Sequence, residues 1–206
     1  MPRTIDPDAI PPDEALGRLR DGNQRFLSGE GSALRRWHPG LSDGQRPFAA
    51  VLGCADSRAP AEYVFDQGLG DLFVIRVAGN IVAPSLVGSV EFGVSRFGIR
   101  LVVVMGHTQC GAVAATVDAL EHGGAPESRN LKSIVDRITP HVGHIFAQPG
   151  DHDSRLAAAV HANALASARE LRRSSPILQD LVDVGRVVIV AAVYDLATGV
   201  VNFIEE

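Results

Sequence analysis

Residues 47–58 read Pro47-Phe48-Ala49-Ala50-Val51-Leu52-Gly53-Cys54-Ala55-Asp56-Ser57-Arg58. The stretch from Pro47 to Cys54 is continuously apolar, with no alternation to mark a face open to water. That is the pattern of a strand buried on both faces of a parallel sheet. A thiol, a carboxylate and a guanidinium follow at its carboxyl end, where ligands collect in open α/β sheets.

Toward the C-terminus the same grammar repeats. Strands are predicted at Leu72-Phe73-Val74-Ile75-Arg76-Val77-Ala78 and Leu101-Val102-Val103-Val104-Met105-Gly106-His107, with a helical period through Leu86, Val90, Val94 and Phe97 between them. A helix beginning near Cys110 carries Val113, Val117 and Leu120, and Gly111 allows close backbone approach where strand turns into helix. Residues 130–142 read as a helix interrupted by Pro140, and residues 143–154 as a polar Gly/His/Asp loop. The Ala-rich residues 155–173 form a long helix, and Pro176 separates it from a short helical piece at 177–182. A final strand at 187–194, a turn at 195–199 and a return at 200–204 make an antiparallel hairpin.

Toward the N-terminus, residues 29–46 are loop-like, with Trp37 as a packing anchor. Before them, Asp13 is positioned to cap a helix carrying Leu16, Leu19, Phe26 and Leu27, which packs on its own domain or on a second subunit. The expectation is one α/β domain: a mostly parallel central sheet with flanking helices, an N-terminal helical arm and loop over residues 1–46, and a core over residues 47–206 that ends in an antiparallel edge hairpin.

Composition limits the function. With 206 residues and 46% hydrophobic content the chain can bury a sizeable core, and no apolar run approaches the roughly 18 residues of a membrane span. The beginning, Met1-Pro2-Arg3-Thr4-Ile5, has no basic or apolar leader pattern, so a cytoplasmic location is the default. A net charge of −5 without a basic stripe argues against nucleic acid as a partner. Two cysteines are too few for a disulfide framework and read instead as ligands or catalytic thiols.

Those cysteines lie in two motifs. Cys54 ends one strand, and Gly106-His107-Thr108-Gln109-Cys110-Gly111 follows the end of another. If the two strands are neighbours, Cys54, His107 and Cys110 converge as three ligands and leave a tetrahedral zinc one open position, the arrangement of a catalytic site. A rival reading makes Cys54 a nucleophile, His107 its base and Asp56 the orienting group, without a metal. A third treats both thiols as small buried apolar groups, but it gives no reason for Asp56, Arg58 and His107 to gather at the same strand ends.

Three motifs in order, Cys54-Ala55-Asp56-Ser57-Arg58, Gly70-Asp71-Leu72-Phe73-Val74-Ile75-Arg76-Val77-Ala78-Gly79-Asn80 and Gly106-His107-Thr108-Gln109-Cys110-Gly111, together resemble the β-class carbonic anhydrases. The resemblance runs from about Gln45 through Gly111, with weaker support from Tyr194-Asp195-Leu196-Ala197-Thr198-Gly199. It implies one zinc per chain on Cys54, His107 and Cys110, with an Asp56/Arg58 dyad beside it. It further implies reversible hydration of carbon dioxide to bicarbonate and a proton by zinc-bound hydroxide. Asp56 would ligate the metal only in a closed form. The family pattern also implies a dimer or dimer of dimers whose N-terminal helices embrace the partner, with Gln45 reaching substrate across the interface and Phe73, Ala78 and Phe92 lining the pocket. Phe92 stands where plant-like members often have tyrosine. Val51 replaces the tryptophan that builds a non-catalytic bicarbonate pocket in regulated members, which implies no such regulation here.

Hydrolysis of carbonyl sulfide or carbon disulfide on the same scaffold is an alternative, as is a zinc-stabilised binding module without turnover; intact Asp56 and Arg58 argue against the latter. His141 and His144, one helical turn apart, are candidates to ferry protons.

Overall fold

The computed structural model describes residues 9–30, 39–124, 126–147 and 150–204. Five strands make one sheet: β1 (Ala49–Gly53), β2 (Leu72–Arg76), β3 (Leu101–His107), β4 (Val188–Tyr194) and β5 (Val201–Ile204), in the order β2-β1-β3-β4-β5. β1 pairs in parallel with β2 and β3, β3 pairs in parallel with β4, and β5 returns antiparallel along β4. The winding direction therefore reverses between β1 and β3, which are adjacent in the sheet although β2 separates them in sequence. Their carboxyl ends open a crevice there.

Helices cover both faces. Ala49, Val51, Leu101, Val103 and Met105 pack under α1 (Pro12–Ser28) and the short α2 (Ala61–Val64). On the other face, Ala50, Leu52, Val102 and Val104 meet α3 (Pro84–Phe97), α6 (His152–Arg173) and α7 (Pro176–Asp183). Every β1 and β3 residue is buried, as the unbroken apolar runs require. A third cluster joins Cys54 and Cys110 to α4 (Gly111–His122), α5 (Arg129–Val142) and α6 through Val113, Val117, Ile138 and Ala159.

The N-terminal helix docks on its own sheet. Ala15 and Leu19 are fully buried, whereas Leu27 is exposed. Buried Asn23 uses its whole amide: Nδ2 donates to the carbonyls of Val64 (3.1 Å) and Gly199 (2.9 Å), and Oδ1 accepts from the Val201 N–H (3.0 Å). Asp13 does not cap this helix. The helix begins one residue earlier, at Pro12, with Pro11 at the cap position and no side-chain cap bond, so Asp13 lies in the first turn, where the helix dipole favours a carboxylate. Gly22 is required by close approach, because a Cβ there would lie 1.8 Å from the Phe65 carbonyl oxygen. Gly22→Ala should therefore destabilise the protein by about 2 kcal/mol despite the better helix propensity of alanine. Chemical denaturation checks this, and an unchanged or higher midpoint would contradict it.

Other boundaries differ from the sequence reading. α5 is not interrupted at Pro140 but continues to Val142, since the missing N–H falls near the helix end and buried Ile138 and Val142 hold the last turn. Residues 143–154 are not all loop: Gly143–Ala147 form a 3-10 turn, and Asp151 caps α6 by accepting the Ser154 N–H, which starts that helix at His152. β2 stops at Arg76, and Ala78–Asn80 turn away as a 3-10 segment in which Gly79 has φ 72°. Trp37 lies outside the described residues. Among the described residues no helix is long and apolar enough to cross a membrane.

Candidate metal centre

Cys54 follows the last residue of β1, His107 is the last of β3, and Cys110 occupies the N-cap position of α4, just before its first turn. A tight turn joins the last two, with Gln109 at φ 56°, unusual for a residue with a side chain. The turn brings Cys110 back beside His107. The ligand atoms of Cys54, His107 and Cys110 all lie within 4.8 Å of one another, and all three residues are buried.

The donor set fits a tetrahedral zinc. Sulfur bonds of about 2.3 Å would separate two thiolates on such an ion by roughly 3.8 Å, and the two Sγ atoms are 3.8 Å apart. His107 Nδ1 donates to the Thr108 carbonyl at 2.9 Å, which leaves Nε2 as the lone-pair nitrogen. That Nε2 is buried without a hydrogen-bond partner among the described residues. An orphaned basic nitrogen beside two sulfurs is costly unless a cation takes it.

Electrostatics agree. The hydrogen bond from Cys110 brings the Cys54 thiol down to about 4, against the opposing effect of burial, and His107 and the backbone N–H groups of Asp56 and Gly79 add to the lowering. Cys110 moves the other way, because its hydrogen bond to Cys54 and its burial both hold its proton in place. Burial disfavours a charged His107, but the adjacent Cys54 outweighs it and the imidazole shifts upward. Without a metal, two sulfurs and an imidazole compete for protons, and a dication relieves that competition by making both sulfurs thiolates.

Asp56 stands at the rim. Arg58 grips it bidentately, Nε to Oδ1 at 3.0 Å and Nη2 to Oδ2 at 2.8 Å, and the Arg58 backbone N–H donates to Oδ1 at 2.9 Å. This pairing holds the Asp56 carboxyl well below the usual carboxylate range. Its Oδ2 lies 3.8 Å from His107 Nε2. Arg58 Nη2 also reaches the Gln109 carbonyl at 3.4 Å, which ties the two motifs together.

Four groups around the centre were not singled out from the sequence. Arg76 donates from Nε to the Cys54 carbonyl at 2.9 Å and from Nη2 to the Asp56 carbonyl, fixing the loop that carries both. The Gly79 N–H points at Cys54 Sγ, 3.3 Å away. Thr108 accepts the Leu196 N–H on its hydroxyl, 2.9 Å away, which anchors the turn to the end of β4. Asn163 donates to the Gly79 carbonyl at 2.9 Å.

The pocket candidates divide. Ala78 lies in the turn beside Cys54. Phe73 pairs with Ala50, four residues before Cys54, or about 13 Å back along the strand at 3.3 Å per residue. Phe92 is 54% exposed and packs against Phe73 and Phe97 at 6.3 and 5.7 Å, and exposed Gln45 precedes the start of β1. Within its own chain, then, the far end of the sheet holds Gln45, Phe73 and Phe92. His141 has both ring nitrogens engaged, by Asn163 and Glu170, and His144 is exposed.

A mostly parallel α/β domain with a buried Cys2His cluster at the point where its winding reverses carries the donor set of a metal site at the place where such folds bind their ligands. The carbonic anhydrase family model matches residues 49–201. A carbonic anhydrase of Mycolicibacterium smegmatis is 40% identical over 192 residues, 91% of each chain, and carbonic anhydrase 2 of Mycobacterium tuberculosis is 42% identical over 139 residues, 64% of each. The β-carbonic anhydrase CcaA superposes with a TM-score of 0.71 over 94% of this chain and 92% of that one, at 24% identity. The tetrameric β-carbonic anhydrases of Sordaria macrospora give 0.72 over 94% of this chain and 98% of theirs, at 20% identity. The chain belongs to the carbonic anhydrase family, in its β class.

Proposed function

We propose that Cys54, His107 and Cys110 hold one zinc ion per chain and that this centre hydrates carbon dioxide reversibly to bicarbonate and a proton. One observation carries the reading: buried His107 Nε2, without a hydrogen-bond partner among the described residues, lies beside two sulfurs at the separation a tetrahedral zinc requires. When bound, zinc supplies a nucleophilic water at neutral pH. The protein's part is to hold and orient. Arg58 keeps Asp56 ionised and held in place, so that the remaining lone pair of Oδ2 accepts a hydrogen bond from the incoming nucleophile and aims it at carbon dioxide. Arg76 fixes the backbone on which Cys54 and Asp56 sit. Ala78 offers an apolar wall suited to an uncharged, weakly bound substrate. Metal analysis with stopped-flow hydration tests the reading: one zinc per chain and fast hydration are expected, and full activity in metal-free protein would overturn it.

The position of Gln45, Phe73 and Phe92 supports self-association. They lie too far from Cys54 to line the pocket of their own chain, and Phe73, Phe92 and Phe97 make an aromatic patch of the kind protein interfaces bury. A second copy seated on this patch would lay these residues over the neighbouring site, which also gives a role to Gln45. The Sordaria relatives are tetrameric. A dimer or dimer of dimers is expected by sedimentation, and a monomer that keeps full specific activity on dilution would contradict this. Two free thiols at the centre suit a reducing compartment such as the cytoplasm.

A further inference from the structure

A polar chain runs from the surface of α6 to the sulfur of Cys54. Glu170 Oε2 lies 3.1 Å from His141 Nε2, and His141 Nδ1 lies 3.0 Å from Asn163 Oδ1. Asn163 Nδ2 donates to the Gly79 carbonyl at 2.9 Å, and the N–H of Gly79 donates to Cys54 Sγ at 3.3 Å. Asn163 is fully buried. Its amide has only one workable orientation, since a carbonyl must receive from Nδ2, and Oδ1 then receives from the imidazole. Two elements of the chain come from helices distant in sequence, α5 and α6, and neither contributes a ligand.

The Gly79 peptide needs such a hold. Its φ of 72° is a conformation the 3-10 turn does not favour, and the turn is wedged so closely that a Cβ would lie 2.8 Å from Ile138 Cδ1 and 3.1 Å from Ala112 Cβ. Packing fixes where Gly79 sits, whereas the hydrogen bond to its carbonyl holds the 79–80 peptide plane and, with Gly79 at φ 72°, keeps the left-handed backbone from which the N–H of the preceding 78–79 peptide is directed at Cys54. We propose that Asn163, clamped by His141 and Glu170, is a positioning residue of the metal centre that sets the N–H to Cys54 Sγ hydrogen bond. This rests on the zinc reading above.

The chemical consequence follows from charge. Two thiolates donate strongly to a dication and blunt its acidity toward water; an N–H donor on one sulfur withdraws part of that electron density and restores some of it. Losing the bond should make Cys54 the stronger donor without removing any ligand.

Cobalt(II)-substituted protein reads the sulfur directly, through its thiolate-to-cobalt charge-transfer band. Asn163→Leu and His141→Leu should each move that band to lower energy, with cobalt still bound one per chain, and lower kcat for the zinc enzyme by about tenfold with KM little changed. His141→Asn, whose amide can stand in for Nδ1, should restore both band and kcat, and a packing defect alone would not be rescued in this way. Wild-type band position and kcat in His141→Leu and in folded Asn163→Leu would overturn the assignment of Asn163 alone. A wild-type protein that shows no thiolate band with cobalt would overturn the zinc reading, and this inference with it.

Discussion

Asp56→Asn should retain its zinc and lose roughly a hundredfold in hydration, the cost of misaiming one reacting group. Two geometric constraints meet at this side chain. Oδ1 accepts the Arg58 backbone N–H at 2.9 Å, and Oδ2 takes the guanidinium Nη2 at 2.8 Å. An asparagine oxygen satisfies the first, which turns its NH2 toward a guanidinium that is also a donor, so the pair breaks and the side chain swings. None of Cys54, His107 or Cys110 is touched, so metal content should stay at one per chain. Arg58→Ala leaves the carboxylate intact but unrestrained, 3.8 Å from His107 Nε2. We expect it to move onto the metal and give a folded, zinc-loaded and largely inactive protein. Metal analysis beside hydration rates separates the outcomes, and wild-type turnover in Asp56→Asn would reject the role given to this dyad.

Cys110→Ser should abolish both zinc binding and hydration, leaving rates at the uncatalysed background. Of the two cysteines this one discriminates between mechanisms. A thiol nucleophile at Cys54 with His107 as base would not need Cys110, whereas a three-ligand zinc centre cannot lose it. The fold should survive, because Cys110 contributes one small buried group beside Val113 and Val117. An active, metal-free Cys110→Ser protein would transfer the chemistry to Cys54.

The sheet was legible because β1 and β3 are apolar throughout, a pattern only two-sided burial explains. The three metal-binding candidates were legible because Cys and His at strand ends are few. Their convergence was not, since it depends on β1 and β3 being neighbours, and strand order is decided by how helices pack on both faces rather than by anything local to Cys54 or His107. Arg76 reads as one polar residue inside a strand expected to run from Leu72 to Ala78, and its reach to two carbonyls appears only once β2 lies beside β1. Asn163 is hidden by its surroundings: in an Ala-rich helix a single amide looks like surface, and its burial comes from the turn at Gly79, more than eighty residues earlier in sequence. Asp13 and Pro140 misled for one shared reason, which is that end-of-helix signals fix a boundary only to within a turn when neighbouring residues are already held by the core.

The amide of Asn23 joins α1 to the last hairpin, through Gly199 and Val201. A chain growing from its amino end makes α1 first, yet two of the three partners for Asn23 are made some 176 to 178 residues later. At about 5–20 residues per second those two bonds wait roughly ten seconds or more after the helix is made. Closure of the two ends is therefore expected among the last events of folding, when the nascent protein ceases to be a substrate for chaperones.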